Sequence, residues 1–157
     1  MIDINIAVQR LAFHEGCVLH PYKDHLGYWT IGIGRCYEKN PITKAEEFVI
    51  GKCWKQGITK NGAYFLLRND IKRCIKELEK NIPFWRMLDD ERQYALLDMA
   101  FQMGPDGLLE FKKMLSALGV GNYEEARRQC LDSKYGRQTP IRANRIANCL
   151  ASGRFII

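Results

Sequence analysis

The sequence predicts an α+β fold, mainly helical, with a small N-terminal lobe built on a β-hairpin. One long helix joins that lobe to a larger all-helical one. Three observations predict it. Apolar residues recur at helical spacing over most of the chain. One segment, residues 17–35, switches to the alternation and glycine-bounded turn of paired strands. The 157 residues, 46% of them hydrophobic, suffice for a single packed domain without low-complexity tracts. The reading is therefore one domain over 1–157, with lobes at about 13–58 and at 81–157 plus 1–12, linked by a helix over 59–80.

Residues 3–15 place Ile4, Ala7, Val8, Leu11 and Ala12 on one helical stripe, with Asp3 as N-cap and Gly16 as the stop. Strands over 17–24 and 28–35 follow, joined by a turn at His25-Leu26-Gly27, with a third short strand or loop near 36–42. The chain turns helical from about Thr43. Thr59 caps the long helix, which carries Leu67, Ile71, Cys74, Ile75 and Leu78 at helical spacing. Further helices are predicted at about 84–89, 91–103, 107–118, 122–132 and 140–151, with breaks at Pro83, Gly104-Pro105, Gly119–Gly121 and Gly136. Thr139 is the expected N-cap of the last, with Pro140 at its first position.

Composition excludes several classes. Apolar runs fall far short of the ~20 residues of a membrane span, and the first residues lack the features of a signal peptide. Six cysteines (17, 36, 53, 74, 130, 149) form no CxxC pair and are read as free thiols. A net charge of +6 points to an anionic partner, whether nucleic acid, membrane face or acidic wall polymer.

The densest chemistry lies in "HEGCVLHPYKDHLGYWTIGIGR", residues 14–35. Its H-x-x-C-x-x-H spacing invites a metal reading. Strand alternation opposes it, because Cys17 and His20 diverge while His20 and Asp24 lie roughly 13 Å apart at about 3.3 Å per residue. No metal site and no cofactor are expected. Parity instead places Asp24 opposite Tyr28, with Thr30, Gly32 and Gly34 continuing that face and Trp29, Ile31 and Ile33 on the buried side. Two bare glycines on one face suggest a cleft floor, which Glu15 enters from the first helix. Two carboxylates and a hydroxyl suit glycoside hydrolysis, in which one acid protonates the leaving oxygen and the other carboxylate activates water or attacks the sugar.

The full string "E-G-x-x-x-x-x-Y-K-D-x-x-G-Y-W-T-I-G-I-G" resembles the T-even phage lysozymes of glycoside hydrolase family 24. So do "ALLDMAFQMGPDGLLEF" and "SKYGRQTPIRANRI" in the C-terminal half. The resemblance implies a lysozyme-like fold and hydrolysis of the β-1,4 bond between N-acetylmuramic acid and N-acetylglucosamine in peptidoglycan, with inversion. It implies Glu15 as general acid, Asp24 as second carboxylate and Thr30 as the hydroxyl holding the water. Cys36, Phe101, Gln102, Met114, Gln129, Tyr135 and Gln138 match substrate-contacting positions. Arg142 matches an arginine that pairs with the catalytic glutamate.

Arg35 stands where the family has a histidine paired with an aspartate, and Asp70 matches that aspartate. The expectation is an Arg35–Asp70 ion pair, independent of pH through the histidine range. The resemblance further implies a monomer acting on peptidoglycan, with no nucleic-acid partner and no stable membrane insertion. It would accumulate in the host cytoplasm and reach the wall in the periplasm through a separate holin-type protein. A nucleic-acid-binding helical protein and a catalytically silent wall-binding domain of a phage particle are the rival readings. The first leaves the glycine-lined strand unexplained, and the second leaves the Glu15–Asp24–Thr30 set without a purpose.

Overall fold

In the computed structural model, residues 1–155 are described, and they divide into two compact units. The first comprises Ile4–Arg73. The second comprises Met1–Asp3 with the chain from Cys74 onward, the division falling inside one long helix.

In the first unit, helix α1 (Ile4–Glu15) buries Ala7, Val8 and Leu11 and ends at Gly16, whose φ of +73° only glycine adopts freely. An antiparallel sheet follows in the order β1 (Val18–Lys23), β2 (Trp29–Gly32), β3 (Arg35–Cys36). The pairs Tyr22↔Thr30 and Lys23↔Trp29 set the hairpin register, and a bulge separates them from Val18↔Gly32. Helix α2 (Lys44–Ile50) begins with a capping box, in which Thr43 and Glu46 bond each other's backbone amides. Thr59 Oγ accepts the Gly62 amide at 3.0 Å and so caps α3 (Lys60–Asn81).

Two expectations for β2 are corrected here. Trp29 is 40% exposed, with the Lys23 ammonium 5.3 Å from its ring, while Thr30 is buried. Gly32 does not line an open floor. A Cβ there would lie 3.4 Å from the Cβ of Ala63, so the missing side chain lets β2 close on α3.

The second unit is helical: α4 (Asp90–Leu109), α5 (Lys112–Gly119), α6 (Tyr123–Leu131), α7 (Lys134–Gln138) and α8 (Pro140–Ser152). Asp89 caps α4, which bends at Gly104 (φ +81°) ahead of Pro105, where a break was expected. The helix expected over 107–118 is divided at Phe111 between the end of α4 and α5. Helix α6 packs on α5 and α8, and its Ala126 and Cys130 are fully buried.

Gly136 is not a break. It lies within α7, whose N-cap Ser133 accepts its amide at 3.0 Å. Thr139 holds the N-cap position of α8 with Pro140 following, as expected, but its side chain does not cap the helix; its hydroxyl donates to the Tyr135 carbonyl at 2.9 Å, closing α7 instead. All six cysteines are free thiols. No helix among the described residues is long and apolar enough to cross a membrane.

The short α6–α7 connection explains the glycine. A Cβ at position 136 would sit 2.3 Å from the Leu131 carbonyl oxygen, a backbone atom that cannot swing aside. Gly136→Ala is therefore expected to destabilise the protein by about 1–3 kcal/mol, the range of overpacked substitutions, read by denaturant unfolding. An unchanged midpoint would contradict this packing.

Candidate active site

The turn after β1 builds the candidate site's most constrained group. Asp24 donates its amide to the Tyr28 carbonyl, and Gly27 (φ +86°) donates to the Asp24 carbonyl, both at 2.9 Å. The amides of Leu26 and Tyr28 then converge on Asp24 Oδ1, each at 2.9 Å. These two hydrogen bonds, the Tyr28 amide's first, hold the Asp24 carboxyl below the usual aspartate range. Oδ2 accepts no hydrogen bond among the described residues.

Directly paired residues and their i±2 neighbours share a face, so Tyr22, Asp24, Tyr28 and Thr30 lie together. Thr30 is 3% exposed, and its hydroxyl donates to the Tyr28 carbonyl at 3.1 Å. Cys36 is the partner of Thr30 across β2–β3 and is half-buried. Glu15, also half-buried, closes α1 three residues before the sheet. Burial, then the charges of Glu15 and Asp24, raise the Tyr22 hydroxyl above the usual phenol value.

Arg35 lies beneath, 1% exposed, with all five N–H groups used. Its fork grips Glu46 at 2.6 and 2.9 Å and Asp70 at 2.9 Å, and the remaining donors reach the carbonyls of Asn40 and Pro41. The Arg35–Asp70 pair therefore forms, but Glu46 takes the larger share. Glu46 also accepts from the Thr43 amide and from Asn69. Burial alone would raise Glu46, yet Arg35 and these donors hold it at about 2. Asp70 is bonded by Arg73 as well, but burial dominates and pushes it up to about 6. Burial of Asp70 thus works against the expected pH independence of the pair. Arginine does not titrate in the histidine range, but Asp70 does at its lower edge.

In the second unit, Asp98 (1% exposed) gathers several predicted residues. It accepts from Gln102 at 2.7 Å, from Arg142 at 3.0 Å and from Tyr94 at 3.2 Å. Gln102 also donates to the Tyr135 hydroxyl at 3.2 Å. Burial pushes that hydroxyl up to about 12, so it remains a donor at any physiological pH. Phe101 is half-buried on α4 beside Gln102, and Gln138 is exposed at the end of α7.

Met114 and Gln129 border a shallow cavity of about 430 Å³ with Phe111, Asp132 and Ser133. Gln129 is half-buried and donates to Glu125. Met114 is 1% exposed, so most of its side chain belongs to the helix packing although it borders this cavity. Among the described residues no group of His, Cys, Asp or Glu is arranged to hold a metal ion.

Comparison with known proteins assigns the family. The family model described as phage lysozyme matches residues 12–146. The chain belongs to the phage lysozyme family. It is accordingly a lysozyme-type hydrolase, of a family that hydrolyses peptidoglycan by muramidase activity.

It is 33% identical to a probable T4-type lysozyme 1 of Dictyostelium discoideum, covering 91% of this chain and 92% of that protein. A second protein of that organism, probable T4-type lysozyme 2, is 31% identical over the same shares. The pre-baseplate central spike protein Gp5 of Enterobacteria phage T4 is 34% identical over 88% of this chain, which spans 26% of that longer protein.

Sequence reading of this phage lysozyme missed Glu46 and Asp98. Glu46 has a local mark in its capping box with Thr43, and Asp98 has local partners in Tyr94 and Gln102, but the arginines that meet them, Arg35 and Arg142, lie 11 and 44 residues away. The buried Arg35 cluster yields a test with two signs. Asp70 binds its proton more tightly folded than unfolded, so its contribution is full below about pH 4 and is lost as pH rises through about 6. Glu46 behaves oppositely, contributing above about pH 4.5 and losing that contribution as pH falls through about 2. In urea melts between pH 4 and 8, the parent should lose stability relative to Asp70→Asn up to about pH 6.5, then hold a constant difference. A difference that does not change with pH would contradict the assignment.

Proposed function

We propose that this lysozyme is an endolysin that cleaves the β-1,4 bond between N-acetylmuramic acid and N-acetylglucosamine. Glu15 acts as the general acid, and Asp24 with Thr30 holds the water. The observation that carries this reading is the Asp24 carboxylate, with one oxygen fixed by two amides and the other open on the face that bears Thr30.

The protons then have defined places. The Thr30 hydroxyl proton is engaged by the Tyr28 carbonyl, so its oxygen accepts from the water. The water's other proton points to Asp24 Oδ2, which receives it as the oxygen attacks the anomeric carbon. Glu15 gives its proton to the departing glycosidic oxygen, and attack opposite the leaving group inverts the centre. The two amides favour the ionised form of Asp24, as a base requires.

Phe101, Gln102, Tyr135, Gln138, Gln129 and Cys36 contact the glycan in this reading. Gln102 and Tyr135 are already oriented by their mutual hydrogen bond. The net charge of +6 suits an acidic wall polymer. The enzyme works as a monomer, without cofactor, and passes from the host cytoplasm to the wall after a holin-type protein opens the membrane. A second reading, a wall-cutting domain carried on the virion, is favoured by the likeness to the phage T4 spike protein. Antibody detection in purified particles, rather than only in the lysate, would favour that second reading.

Turbidity clearing of purified peptidoglycan tests the chemistry. Glu15→Gln and Asp24→Asn should each lose about 10²–10⁴-fold in rate, the usual return of general acid–base catalysis, while keeping the parent's melting temperature within a few degrees. Parental rates in Glu15→Gln would remove the acid assignment.

A further inference from the structure

Hydrogen-bond counting at the water leaves one position open. A water bound as above donates both protons, one to Thr30 Oγ and one to Asp24 Oδ2. One of its two lone pairs must face the sugar. The other is a free acceptor, and water that is not held there can rotate away from the attack line. The site therefore needs one more donor on the same face, and neither Asp24 nor Thr30 can supply it. Ionised Asp24 only accepts, and the Thr30 proton is already engaged.

We propose that the Tyr22 hydroxyl is this third group, donating to the second lone pair of the attacking water; the inference rests on the reading of Asp24 and Thr30 given above. Tyr22 is the direct cross-strand partner of Thr30 and stands two residues before Asp24 on the same face. Such pairs hold their Cβ atoms about 5 Å apart, so a phenol ring leaning along the strand reaches over the hydroxyl below it. The Tyr22 side chain makes no hydrogen bond among the described residues, although it is half-buried. The charged and titratable groups acting on it are Glu15, Asp24 and Cys17. Burial and these charges keep the phenol protonated, which a permanent donor requires. The backbone supports the arrangement, because Tyr22 and Thr30 lie within the ladder while Asp24 lies in the rigid turn.

The test compares Tyr22→Phe, Thr30→Val and the double variant on a soluble peptidoglycan fragment, with the melting temperature of each recorded. Loss of one hydrogen bond to the water should lower kcat of Tyr22→Phe about 5–20-fold with KM within twofold of the parent. Because both side chains hold one water, the double variant should lose less than the product of the two single losses. A second probe keeps ring and hydroxyl. Difluorotyrosine at position 22 ionises near neutral pH, so kcat should fall on the alkaline side where the parent's does not. Parental kcat in Tyr22→Phe, fully multiplicative losses, or an unaltered alkaline limb would each overturn the proposal. If Glu15→Gln also kept full activity, the underlying reading would fall with it. If Glu15→Gln were inactive and Tyr22→Phe normal, only this inference would fail.

Discussion

Two backbone amides, from Leu26 and Tyr28, converge on a single oxygen of Asp24, and the rest of the candidate site depends on that convergence. It requires the turn to close between Asp24 and Tyr28, and Gly27 with its positive φ permits that closure. Once the turn closes there, the pairing of Tyr22 with Thr30 follows. A slip of one residue would send Thr30 and Tyr22 to the opposite face. The same amides stabilise the carboxylate as an anion and leave its second oxygen for a proton. Local backbone chemistry thus sets register, charge state and direction together.

The hairpin does not hold itself. Gly32 lets β2 approach α3 at Ala63. The Arg35 guanidinium, three residues further on, is buried among Glu46, Asp70 and two loop carbonyls. Breaking a buried pair of this kind leaves an uncompensated charge and is strongly destabilising, even where the intact pair adds little net stability. Its value here is geometric, since it ties β3, the following loop, α2 and α3 to one side chain. An arginine can do this because its five donors form a rigid fork, whereas a histidine offers two.

Much of this was legible in the sequence because the signals are short-range. Gly16 ends α1, Thr59 caps α3, and the parity of residues 24–30 gave the hairpin face, each from residues a few positions apart. The failures share one cause. Gly32 reads as an empty floor until Ala63 is brought against it, and Gly136 reads as a break until the Leu131 carbonyl is seen to fill the space. Trp29 falls on the apolar side by alternation, yet it lies at the exposed end of its strand. Glu46 and Asp98 look like solvated carboxylates because their partners, Arg35 and Arg142, are 11 and 44 residues distant.

Asp24 as a base acting through water, rather than as a nucleophile, is the central claim. Proton NMR of the reducing end during the first moments of hydrolysis, before mutarotation, tests it most directly. Attack by a water held at Asp24 on the β-linked sugar yields the α-anomer as the first product. First release of the β-anomer would mean retention through a covalent or otherwise double-displacement route, and would contradict the account.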